Sequence, residues 1–70
     1  MKAVIRYYDQ WGGKRQATVE VEANEPNSIL VKAMKTKKIS PWDVVRTIRC
    51  GQREYQWMGR AKEAMKGAWT

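Results

Sequence analysis

The sequence predicts an α+β domain: two antiparallel hairpins in one sheet (ββαββ), one helix packed on a face, and a short C-terminal helix completing the cover. Three observations predict it. Residues 17–23 alternate apolar and polar, apolar residues recur at helical spacing from 26 to 34, and Gly51-Gln52 separates two strand-like runs. At 70 residues the chain is a single domain, with no linker, repeat or low-complexity segment.

Residues 3–9 and 16–23 read as strands joined around Gly12-Gly13. A two-residue Gly-Gly turn would set Arg6 opposite Val19. A loop longer by one residue would set Ile5 opposite Val21, Tyr7 opposite Val19 and Arg6 opposite Glu20. The second register pairs apolar with apolar and is preferred, leaving Val4, Arg6 and Tyr8 on the outer face. Asn24-Glu25-Pro26-Asn27-Ser28 reads as a helix start, with capping side chains and an early proline. Pro26, Ile29, Leu30, Ala33 and Met34 share one arc of the wheel, and Ser28, Lys32 and Lys35 lie opposite. The helix is expected to end near residues 36–38, ahead of Ser40-Pro41.

Residues 44–50 and 53–58 flank Gly51-Gln52, a type II′ hairpin signal. That turn pairs Arg49 with Glu54 and Thr47 with Gln56 on one face with Val45 and Met58. It pairs Ile48 with Tyr55 and Arg46 with Trp57 on the other, with Val44 and Cys50. Residues 60–69 carry Ala61, Ala64, Met65 and Ala68 at helical spacing, so the tail reads as a short amphipathic helix anchored by Trp69.

Composition excludes several classes of function. Cys50 is the lone cysteine and histidine is absent, so neither a disulfide scaffold nor a zinc site is expected. No apolar run approaches membrane-spanning or signal-peptide length, and the chain is expected to be soluble and cytoplasmic (host cytoplasm if phage-encoded). Without histidine, a nucleophile elbow or a phosphate-binding glycine loop, no catalysis and no cofactor are expected. Cys50 reads as a small half-buried strand residue. With no Phe, the four Trp, three Tyr and four Met are expected to supply much of the burial, and crowding should expose at least one Trp, namely Trp11.

Charge is the most informative feature. Residues 1–26 hold four basic and four acidic side chains, so the whole net charge of +7 lies in residues 27–70. Each group has an ordinary explanation: Lys35, Lys37 and Lys38 can complement a helix dipole, Arg49 can pair with Glu54, and Arg46 can cover Trp57. Together they repel one another on a small body, which favours an anionic partner. One coherent cationic surface drawn from residues 32–60 is expected. Nucleic acid is the leading partner, its phosphates neutralised by Lys32, Lys35, Lys37, Lys38, Arg46, Arg49, Arg53 and Arg60. Tyr8, Trp11 or Trp57 would offer stacking.

Strand–strand–helix–strand–strand in this length, opening Met1-Lys2-Ala3 into a strand, resembles small phage-encoded inhibitors, among them anti-CRISPR proteins and inhibitors of host RNA polymerase. That resemblance implies an alternative function: docking on a nucleic-acid-handling protein complex and blocking its channel. A third reading is a basic accessory subunit of a ribonucleoprotein or virion.

Overall fold

A computed structural model describes residues 1–22 and 24–65. Strands β1 (Lys2–Tyr8), β2 (Lys14–Glu20), β3 (Val44–Cys50) and β4 (Arg53–Arg60) form one antiparallel sheet in the order β2-β1-β3-β4. Helix α1 (Pro26–Lys35) joins β2 to β3, and a 3₁₀ turn over Ala61–Met65 follows β4. The α+β class and the ββαββ order are as the sequence predicts.

One face of the sheet meets α1 and is apolar. Ala3 and Ile5 from β1, Val19 from β2, and Val45, Ile48 and Cys50 from β3 are buried with Ile29, Leu30 and Ala33 of the helix. Among the described residues the core is therefore aliphatic. Tyr7, Met34, Tyr55 and Trp57 pack at its margin, so the expectation that aromatics and methionines carry the burial is corrected. Cys50 is fully buried, beyond the half-burial expected, with its Sγ 3.9 Å from Met1 Sδ.

The first hairpin turns earlier than expected. Ile5 faces Ala17, Arg6 faces Gln16 and Tyr8 faces Lys14, so neither register considered from the sequence forms. The cause is Asp9. Its Oδ1 accepts the backbone N–H groups of Trp11 (2.9 Å) and Gly13 (2.7 Å), while its own N–H donates to the Gly13 carbonyl at 2.9 Å. The Gly12 N–H closes a turn onto the Asp9 carbonyl with Gly12 at φ 82, the pattern of a three-residue loop with a glycine bulge. Strand β2 consequently starts at Lys14 and ends at Glu20. Val21 is still buried, its N–H bonded to the Met1 carbonyl; Ala23 lies outside the described residues.

Helix α1 starts at Pro26 with Glu25 as its N-cap, and no side chain caps it. The expected side-chain cap does not form; of the candidates in residues 24–28, Asn24 turns to the sheet, its carbonyl and Oδ1 accepting the Tyr55 hydroxyl at 3.0 and 3.2 Å. The end is as expected, with Thr36 as C-cap. There Lys38 N–H reaches the Ala33 carbonyl and Lys37 N–H the Met34 carbonyl, the paired bonds of a Schellman ending. Lys37 occupies the left-handed position at φ 60, where glycine is the usual residue.

The second hairpin follows its turn chemistry. Gly51 sits at φ 63, and the pairs Arg49–Glu54, Ile48–Tyr55 and Thr47–Gln56 form. Arg46–Trp57 does not. Between Arg6 and Tyr7 of β1 the register skips Arg46, which bulges from β3; toward β4 the shift between Val45 and Thr47 puts the extra residue on β4, where residues 57 and 58 oppose Arg46. Beyond it the faces exchange: Val45 enters the core, and Val44 and Arg46 turn outward, the reverse of the sequence assignment. Strand β4 runs on to Arg60, past the expected end at 58.

The described part of the tail is 3₁₀, not α-helical. Its first N–H groups are taken from outside, Ala61 by the Asp43 carbonyl and Lys62 by the Pro41 carbonyl, both at 2.9 Å. Ala61 and Ala64 are buried, as the stripe requires. The expected continuation to residue 69, with Ala68 and Trp69, lies outside the described residues.

Two substitutions test these local accounts. Lys37→Gly relieves the left-handed strain and is expected to raise stability by about 0.5–1 kcal/mol in urea denaturation. Gly13→Ala would bring a Cβ to 2.8 Å from Asp9 Oδ2, and a loss of more than about 1 kcal/mol is expected.

Candidate nucleic-acid interface

Because α1 covers one face, every second residue of each strand is left on the other. The registers lay these residues out in rows that cross the sheet. Lys14, Tyr8, Val44 and Arg60 form the first row, at the end of the sheet near the β1–β2 turn. Gln16, Arg6, Thr47 and Gln56 form the second, and the bulge adds Arg46 between them. Thr18, Val4, Arg49 and Glu54 make the third, and Glu20 with Lys2 the last.

Charge is graded along these rows. The first two, with the bulge, hold Lys14, Arg60, Arg6 and Arg46 and no acid. The last two set Arg49 opposite Glu54 and Lys2 opposite Glu20. Glu20 also lies 3.6 Å from the N-terminal ammonium. Arg15 and Asp9 form a further ion pair at 3.1 Å. Arg6, Lys14 and Arg49 make no side-chain hydrogen bond or ion pair among the described residues, so their charges are free for an external anion.

Aromatic rings stand beside the cations at the basic end. Arg46 Nη1 donates to the Tyr8 hydroxyl, and its guanidinium carbon lies 5.2 Å from the ring centroid. Trp42 is carried by a tight Ser40–Asp43 turn in which Asp43 Oδ2 accepts the Ser40 N–H (2.8 Å) and Ser40 Oγ accepts the Trp42 N–H (3.3 Å). Asp43 is buried by this turn, and Trp42 is pushed out, 53% exposed. Lys62 Nζ lies 4.3 Å and the Arg60 guanidinium carbon 5.6 Å from its ring centre. Such contacts hold the cations over the rings while leaving their charge unneutralised.

Two open cavities meet at Tyr8. One of about 450 Å³ is bordered by Arg6, Lys14, Gln16 and Arg46. The other, about 430 Å³, lies between the β1–β2 turn and Trp42, with Val44 and Arg60 on its floor and wall. They share Tyr8 and together make a trough lined mainly by cations and aromatic faces, with Asp9, already paired to Arg15, at its turn end.

The sequence-derived site residues are divided by the fold. Tyr8, Arg46, Arg49 and Arg60 share the outer face. Lys32, Lys35, Lys37 and Lys38 are exposed on the helix side, across the sheet from it, so the expected single cationic surface is two surfaces. Arg53 sits at the tip of the second hairpin, remote from the basic rows. Trp57 is half-buried, packed against the margin of the core. Trp11 is 82% exposed at the tip of the first hairpin, as expected. Arg6, Lys14, Trp42 and Lys62 join the site without having been chosen from the sequence. For Arg6 the signal was present, since the alternation already placed it outward beside Tyr8.

Among the described residues no group of His, Cys, Asp and Glu is placed to hold a metal ion, and no helix is long and apolar enough to cross a membrane. Burial above all, and then the Asp43 charge, raises the Tyr7 phenol above its ordinary pKa. The Gly13 N–H, with Arg15 and the Trp11 N–H, holds the Asp9 carboxyl below the ordinary carboxylate range. The chain matches no known protein-family model, and no curated protein or solved structure is similar to it.

The depressed Asp9 pKa favours the folded state above the unfolded value, near 3.8, and that contribution is lost as pH falls through the folded one. Stability is therefore expected to drop on acidification below about pH 4, and less steeply in Asp9→Asn. Denaturant melts across that range check it; equal slopes would remove Asp9 as the cause.

Proposed function

We propose that the protein binds single-stranded nucleic acid through the outer face of its sheet. The observation that carries this reading is the acid-free pair of rows holding Lys14, Arg60, Arg6 and Arg46 beside Tyr8 and Trp42. Phosphates need cations that are not already neutralised, and a single strand offers base faces that a duplex keeps stacked. The trough supplies both at one end of the face. The cations supply affinity with little base readout, because guanidinium and ammonium groups aimed at phosphates carry no sequence information.

Fluorescence anisotropy with labelled single-stranded and duplex oligonucleotides across a salt series tests the reading. Log affinity is expected to fall linearly with log salt, with tighter binding of the single strand. Arg6→Ala and Arg46→Ala are each expected to reduce the slope by about 0.7, one phosphate contact on a single strand. Arg53→Ala, at the remote hairpin tip, is expected to leave it unchanged. Absence of binding at low salt, or a flat response, overturns the proposal. In a pull-down, a protein partner that survives nuclease treatment would favour the inhibitor function that the phage-protein resemblance implies.

A further inference from the structure

The helix side carries a second cationic surface that the trough does not use. Lys32, Lys35, Lys37 and Lys38 are all exposed, and none forms an ion pair or side-chain hydrogen bond among the described residues. Helix α1 has no acidic residue in its sequence. The helix dipole favours cations at this end, Lys32 and Lys35 in the last turn and Lys37 just past the cap, but it does not require a side chain at the strained position. Lys37 holds the left-handed C′ position at φ 60, where a lysine is strained and glycine is not. A charge is retained where the backbone disfavours any side chain. Strain of that kind clusters at functional surfaces. Beside the lysines an open groove of about 310 Å³ runs along the helix, bordered by Asn27, Ser28 and Val31. Its hydroxyl and amide groups suit phosphate oxygens as well as water.

We infer that α1 is a second phosphate-backbone contact and that one molecule bridges two segments of nucleic acid, one on each side. This rests on the outer-face reading above. The body measures 30 × 24 × 21 Å, so strands held on opposite sides lie farther apart than the Debye length of about 8 Å at physiological salt. Their mutual repulsion is screened, and the intervening protein charge is of the sign that attracts both. The occupant is a polyanion because the complementarity is wholly electrostatic. The groove holds one apolar residue, Val31, too little for an apolar helix or peptide.

The test mixes two single strands of unrelated sequence, one bearing a donor dye and one an acceptor, and titrates the protein. Energy transfer is expected to rise and then fall as excess protein saturates each strand separately. Lys32→Glu with Lys35→Glu and Lys38→Glu is expected to abolish transfer while one strand still binds and the far-UV spectrum is unchanged. The corresponding glutamine replacements serve if the acidic variant does not fold. Arg6→Glu with Arg46→Glu is also expected to abolish transfer. Unchanged transfer in the helix variants overturns the inference, since bridging would then come from self-association. Binding of one strand without transfer in the parent protein overturns it too and leaves the outer-face function standing. No binding of any strand sinks both.

Discussion

A single ten-residue helix can cover only one face of a four-stranded sheet, and the rest of this molecule follows from that limit. The apolar residues suffice for one layer of Ile, Leu, Val and Ala between helix and strands. The uncovered face is then free to be polar, and the charge that opposes folding of so small a body is placed where water screens it. Burial of Ile5 and Ile48 on one side of β1 and β3 fixes Arg6 and Arg49 on the other, since neighbouring residues on a strand point oppositely.

The bulge at Arg46 modifies this rule at one place, and the site depends on it. Strict alternation would have turned Arg46 toward the helix and left Val45 in water. The inserted residue reverses the faces at the start of β3, so an aliphatic side chain enters the core and a guanidinium reaches Tyr8. Bulges commonly re-aim a side chain in this way at sheet positions used for binding.

Much of the fold was legible in the sequence, and the errors have physical causes. Gly51-Gln52 specified its hairpin because a positive φ at the first central position leaves few alternatives. In the first hairpin the two glycines drew attention away from Asp9, whose carboxylate organises the loop. That register error spanned an even number of residues, so the outward assignment of Val4, Arg6 and Tyr8 survived it; period-two alternation is blind to such slips. The bulge left a readable trace, since Val45, Ile48 and Cys50 break the two-residue spacing. What could not be read locally was the division of the charge. Lysines near residue 35 and arginines near residue 47 are close in sequence but lie on opposite sides of the sheet, and only the crossing of α1 decides that. Trp42 was hidden for a similar reason, because its exposure follows from the Asp43–Ser40 bond and not from its own neighbours.

The strand order also has a kinetic meaning. Each hairpin closes locally, β1 with β2 and β3 with β4, but the central seam joins Ala3 to Cys50 and Tyr8 to Val44 across most of the chain. Closing that long loop is opposed by chain entropy before any of its contacts form. The pairing of β1 with β3 is therefore the step of assembly that chain entropy opposes most, and α1 lies within the loop that this pairing must close.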